Sequence, residues 1–162
     1  MTVESASPED LPLVRELFQE YERDIGVDLS FQGFAEELAS LPGKYAEPRG
    51  AILLARRGAD LCGCVALRPI GGAVCEMKRL YVRPAYRSLG VGRELVSRIL
   101  EAARQRGYAR IRLDTLPTMA GAIRLYRGLG FQEIAPYVHN PIPGALFLEK
   151  ALEASGSAPA AG

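Results

Sequence analysis

The sequence predicts a mixed α/β domain, and three observations predict it. Between positions 51 and 82, three apolar runs are separated by short turns containing Gly and Pro, the pattern of consecutive antiparallel strands. From position 91 onward, helical and β-like segments alternate instead. At 162 residues, with 48% hydrophobic and 24% charged side chains, the chain suits one substantial core. A single domain over residues 1–152 is expected, followed by a low-complexity, disordered tail at 153–162.

The elements follow in order. Residues 3–5 read as a short strand. Ser7-Pro8-Glu9-Asp10 then opens a helix, with Ser7 as N-cap, Pro8 at the first helical position and Asp10 in the first turn. Leu11, Val14, Leu17, Phe18 and Tyr21 recur at helical spacing, and Gly26 is the stop. A second helix is predicted over 31–39, with Phe31, Phe34, Ala35 and Leu38 on one face and a loop over 44–49. The three strands fall at 51–56, 61–67 and 73–82, with Gly58-Ala59-Asp60 and the 69–72 stretch as turns. Leu95, Val96, Ile99, Leu100 and Ala103 stripe the next helix, which stops at Gly107. A short strand is predicted at 111–114 and a helix at 118–129, carrying Ala122, Leu125, Tyr126 and Leu129. Segments 131–134 and 145–149 are the last strands.

Composition excludes several function classes. A net charge of +1 argues against a dedicated nucleic-acid binder. No apolar run approaches the ~20 residues that span a bilayer. The first residues, Met1-Thr2-Val3-Glu4-Ser5, lack the basic start and apolar stretch of a secretory signal, so a cytoplasmic location is expected. Cys62, Cys64 and Cys75 are an odd number for a disulfide framework. Cys62 and Cys64 lie two apart in a β-like run and are expected to pack on one face. Cys-x-Cys without a second ligand pair does not define a metal site, so buried, reduced thiols and no metal are expected.

The most informative segment runs from Tyr81 to Arg93. A strand end leads through Arg87-Ser88-Leu89-Gly90-Val91-Gly92-Arg93 into the amphipathic helix. Gly90 and Gly92 leave backbone uncovered by side chains, and the helix start directs free N–H groups and the positive end of its dipole into the same space. This is an anion site suited to a diphosphate, with the Arg87 charge at its edge. A dinucleotide fingerprint fits only in part. Asp114 lies at a suitable distance for a ribose-binding acid, but Leu95 occupies the position of the third small residue, and 83–88 make too long a turn. No Gly-Lys-Ser/Thr terminus of a P-loop exists.

Met77-Lys78-Arg79-Leu80-Tyr81-Val82, followed by Arg87-x-x-Gly90-x-Gly92, resembles the acetyl-coenzyme A motif of the GNAT superfamily of N-acetyltransferases. Ala122-Ile123-Arg124-Leu125-Tyr126-Arg127-Gly128-Leu129-Gly130-Phe131 resembles that family's second signature. Both blocks stand in the family's order, and the resemblance, to a small bacterial-type single-domain member, covers residues 3–152. It implies a twisted, mixed, mostly antiparallel sheet of six to seven strands flanked by about four helices. Its central parallel pair, 73–82 and 111–114, is implied to splay around the cofactor.

The resemblance also implies chemistry. Acetyl-CoA is the donor, with no metal. Arg87, Ser88, Leu89, Gly90, Val91, Gly92 and Arg93 grip its diphosphate, and a side chain larger than glycine's at 92 would intrude there. Leu80, Tyr81 and Val82 pair with the pantetheine arm, and the Val82 N–H polarises the thioester carbonyl. Tyr126 is the candidate general acid. Glu76 is the candidate base, with Asp114, His139 or water as alternatives and a salt bridge as its structural reading. Strand alternation places Glu76, Lys78, Leu80 and Val82 on one face. Arg68, Lys78, Arg79 and Arg112 suit an acceptor that also carries a carboxylate, unless they pair with acids of this chain. Loops 41–49 and 136–144 are the expected pocket walls. The expected partner is a small-molecule amine, with neither nucleic acid nor membrane, and a homodimer remains open. A coenzyme A sensor without turnover and a protein acetyltransferase are the rivals.

Overall fold

A computed structural model describes residues 1–153; the tail expected at 153–162 lies, apart from Glu153, outside the described residues. The apolar runs form β1 (Thr2–Ser5), β2 (Ala51–Arg57), β3 (Asp60–Gly71), β4 (Val74–Val82), β5 (Arg110–Thr115), β6 (Gln132–Glu133) and β7 (Leu146–Ala151). They make one seven-stranded sheet in the order β1-β2-β3-β4-β5-β7-β6. Every adjacent pair is antiparallel except β4–β5, which is parallel. The helices are α1 (Leu11–Ile25), α2 (Phe34–Ala39), α3 (Val91–Gln105) and α4 (Ala120–Gly128).

Two apolar layers sandwich the sheet. Leu95, Val96, Ile99 and Ala103 of α3 pack with Tyr126 of α4 against Val65, Leu67 and Met77. Val14, Leu17 and Phe18 of α1 pack with Phe34 of α2 against Leu54, Cys64 and Ala66 on the other face. In α1 and α3 the spacing of the apolar residues chose the buried face as read from the sequence, whereas Ala35, expected on the buried face of the second helix, is exposed.

Local chemistry sets the element ends. The Asp10 carboxylate accepts the Ser7 N–H at 2.9 Å and the Ser7 hydroxyl at 3.0 Å, closing a 3-10 turn that feeds α1. Gly26 ends α1 in the left-handed region at φ 69°. The helix expected over 31–39 is broken at Gly33, where φ is 70°, into a 3-10 turn Ser30–Gln32 and α2. The expected loop at 44–49 contains another 3-10 turn, Gly43–Tyr45, whose Tyr45 is buried edge-on against Phe18 at 6.0 Å. β3 continues past its expected end at Leu67. β2 stops opposite Leu67, so Pro69 sits where β3 has one neighbouring strand and proline is tolerated.

One expectation about the cysteines fails. All three thiols are free and buried, but Cys62 packs in the α3 layer and Cys64 in the α1 layer. Ala55 pairs with Gly63 and Arg56 with Leu61, leaving Cys62 as an extra residue. That bulge reverses the alternation.

Candidate active site

The site begins where the sheet comes apart. β4 and β5 pair only over Val74–Glu76 and Arg110–Arg112, although both strands continue. A second bulge lies just beyond. Ala66 faces Lys78 and Cys64 faces Tyr81, so Val65 stands opposite both Arg79 and Leu80. Arg79 has φ 63°, in the left-handed region. Its side chain anchors it there: Nε and Nη2 donate to the Glu37 carboxylate at 2.9 and 2.8 Å, and Nη1 donates to Gln32 Oε1 at 2.8 Å. The guanidinium also lies 5.0 Å from the Phe34 ring centre.

This bulge overturns the expected alternation. Leu80 and Val82 pack with the α3 layer, as Cys75 and Met77 do, while Tyr81 joins the α1 layer. Glu76 and Lys78 therefore do not share a face with Leu80 and Val82. The Arg83 N–H donates to Cys62 O at 2.8 Å, so the residue before it, Val82, turns its peptide groups away from β3 and toward the gap.

A groove of about 690 Å3 runs from that gap along the start of α3. All the expected cofactor residues line it except Leu89, which is 54% exposed outside it. Gly90, the α3 N-cap, has φ 82°, so it is needed for its backbone conformation; a Cβ there would meet nothing within 4 Å. Gly92 lies in the groove floor, where a Cβ would sit 3.8 Å from Val82 and from Leu125. The Glu94 N–H is the first to find an intrahelical acceptor, Gly90 O at 3.1 Å, and Val91, Gly92 and Arg93, whose N–H groups precede it, line the groove. Arg87 folds back over the mouth. Its Nε donates to Val82 O at 2.8 Å and its Nη2 lies 3.1 Å from Asp24, so its charge is already paired.

Beyond the gap lies a cavity of about 40 Å3 lined by Lys78, Asp114, Thr115, Tyr126 and Asn140. It shares Tyr21, Ile25, Leu80 and Met119 with the groove. Burial raises the Tyr126 phenol above the usual tyrosine range, so it stays protonated. Lys78 donates to Gln32 Oε1 at 3.1 Å and lies 3.8 Å from Asp114 Oδ1. Burial lowers the Lys78 ammonium, while the carboxylates of Glu76 and Asp114 oppose that shift. Asp114 Oδ2 accepts the Asn140 amide at 3.0 Å.

Glu76 lies outside this cavity and is 1% exposed. Its two oxygens accept Arg68 Nε at 2.8 Å and the Tyr137 hydroxyl at 2.6 Å. The cations expected near the cleft do not form a free cluster: Arg68 pairs with Glu76, Arg79 with Glu37, and Arg112 with Glu149. His139 is exposed and does not line the cavity. Loop 41–49 borders a separate cavity of about 390 Å3, and the α1–α2 connection supplies the second wall instead, through Val27, Leu29 and Gln32. Gln32 escaped the sequence reading because it fell in a segment assigned to an unbroken helix.

Comparison with known proteins gives the family. Residues 11–131 match the model of the Acetyltransferase (GNAT) family. The chain is 46% identical over 144 residues to an uncharacterised N-acetyltransferase of Schizosaccharomyces pombe, covering 87% of this chain and 88% of that one. It is 36% identical over 141 residues to the IAA acetyltransferase of Azospirillum brasilense, covering 86% and 90%. Among solved structures, yncA of Salmonella typhimurium, determined with its cofactor acetyl-CoA, superposes with a TM-score of 0.67 at 23% identity, covering 99% and 98%. Among the described residues no helix is long and apolar enough to cross a membrane. A diverging parallel strand pair above a bare helix start, together with these relationships, makes this chain an acyltransferase that belongs to the GNAT family.

Proposed function

We propose that this protein moves an acetyl group from acetyl-CoA directly to the primary amine of a small molecule that also carries a carboxylate. One observation carries the reading: the gap beyond Glu76 and Arg112 joins a groove ending on bare helix N–H groups to a cavity holding a tyrosine and an oppositely charged pair. The Gly92 floor, free of any side chain, and the N–H groups ahead of Glu94 fit a diphosphate. Leu80, Tyr81 and Val82 offer backbone to the pantetheine arm. Bound there, acetyl-CoA supplies an acetyl thioester.

The residues divide the remaining work. The Val82 N–H donates to the thioester carbonyl oxygen, where negative charge develops. Asp114 faces the acceptor across the cavity and takes the proton its ammonium must lose before nitrogen attacks carbon. Glu76, the carboxylate expected for that step, keeps both oxygens in hydrogen bonds outside the cavity. Tyr126 holds its phenol proton and donates to the departing sulfur. Lys78 and Asp114, 3.8 Å apart, match the two charges of a zwitterionic acceptor.

An amine-library screen that follows thiol release from acetyl-CoA tests the proposal. Turnover with carboxylate-bearing amines is expected. Retained coenzyme A binding with no turnover on any amine would overturn it in favour of a sensor.

A further inference from the structure

Segment 134–145, between β6 and β7, supplies Asn140 and Ile142 to the acceptor cavity. Two sheet carboxylates hold it. Asp114 takes the Asn140 amide at 3.0 Å, and Glu76 takes the Tyr137 hydroxyl at 2.6 Å. Tyr137 is fixed on two further sides, edge-on to Phe147 at 5.6 Å and beneath the Arg112 guanidinium at 5.4 Å. Glu76 is itself rigid, since it sits mid-strand at 1% exposure with its other oxygen on Arg68.

We infer that Glu76 is a positioning residue whose carboxylate latches Tyr137, and through it the acceptor loop, over the cavity. What separates the two carboxylates is place: Asp114 lines the acceptor cavity, whereas Glu76 does not and spends its two oxygens on Arg68 and Tyr137. A short bond from a hydroxyl to a buried carboxylate is stronger than a neutral pair. Asn140 lies three residues beyond Tyr137, so displacing the tyrosine shifts the wall that meets the acceptor. The phenol is raised by burial and by the Glu76 charge, so it stays a donor throughout the neutral range. The consequence for turnover rests on the acetyltransferase reading above; the consequence for the loop does not.

The test compares wild type, Tyr137→Phe, Glu76→Gln and the double variant as full chains. In hydrogen–deuterium exchange, amides of 135–145 are expected to exchange about tenfold faster in each single variant, with no further gain in the double. With the best amine from the screen, the acceptor KM should rise, kcat should stay within about twofold and the pH profile of kcat should not move. Unchanged loop exchange in Tyr137→Phe overturns the inference. So does a hundredfold fall in kcat for Glu76→Gln with a displaced acid limb, which would make Glu76 the base. If no amine turns over, the exchange result still decides this inference, and only the functional reading has failed.

Discussion

Replacing Gly90 with alanine tests whether backbone geometry makes the anion site. Gly90 sits at φ 82° and ψ 6°, left-handed, as the N-cap of α3. A Cβ at this position meets nothing, so the cost is conformational, about 1–2 kcal/mol for an L-residue held in that region. For a chain of this size that corresponds to a melting temperature lower by about 2–8 °C. The strain relaxes by rotating the peptide that orients the first free N–H groups of α3. Losing one charge-assisted bond to phosphate costs about 1.5–3 kcal/mol, so coenzyme A affinity should fall about tenfold to a hundredfold. Calorimetry with coenzyme A and NMR titration with pantetheine, which lacks the diphosphate, measure the two halves of the groove separately. Gly92→Ala separates strain from obstruction: its Cβ would make ordinary contacts at 3.8 Å, so its melting temperature should stay near wild type while its methyl group on the groove floor weakens coenzyme A binding. Wild-type coenzyme A affinity in Gly90→Ala, or an equal loss for pantetheine, refutes the reasoning.

Other outcomes follow from the same structure. Tyr126→Phe should lower the acetylation rate about a hundredfold or more while coenzyme A affinity, read by calorimetry, is kept; an unchanged rate removes Tyr126 from the chemistry. Asp10 is held below the usual carboxylate range by the Ser7 N–H and hydroxyl, so its stabilisation is present above about pH 4 and is lost as pH falls through the lowered value. Urea unfolding should therefore show Asp10→Asn weaker by about 1 kcal/mol at pH 7, with the two proteins converging in acid; a gap constant down to pH 2 contradicts this. Gly63→Ala should destabilise by about 3 kcal/mol or more, since a Cβ there would overlap the Tyr81 carbonyl oxygen, which is backbone and cannot rotate aside. Unfolding at a wild-type urea midpoint would show that β3 and β4 are less closely apposed.

The strands, the two main helices, the glycine turn ahead of α3 and the position of Tyr126 were legible in the residues because short-range physics sets them. Helical and β periodicity, the N-terminal Ser-Pro-Glu-Asp and the Gly-x-Gly turn act within a few residues of chain, and two motif blocks in order carried the family. Tertiary structure decided the rest. The extra residues at Cys62 and Arg79 reverse the alternation of β3 and β4, and nothing local announces them: Arg79 holds a left-handed conformation because Glu37 and Gln32, more than forty positions away, receive its guanidinium. Charge behaves likewise. Four cations that read as a ready carboxylate site are in the fold answered largely by acids from other elements, and Glu76 is drawn out of reach of the cavity while Asp114 is left facing it. Which charges meet depends on contacts between residues distant in sequence, and only the folded chain brings them together.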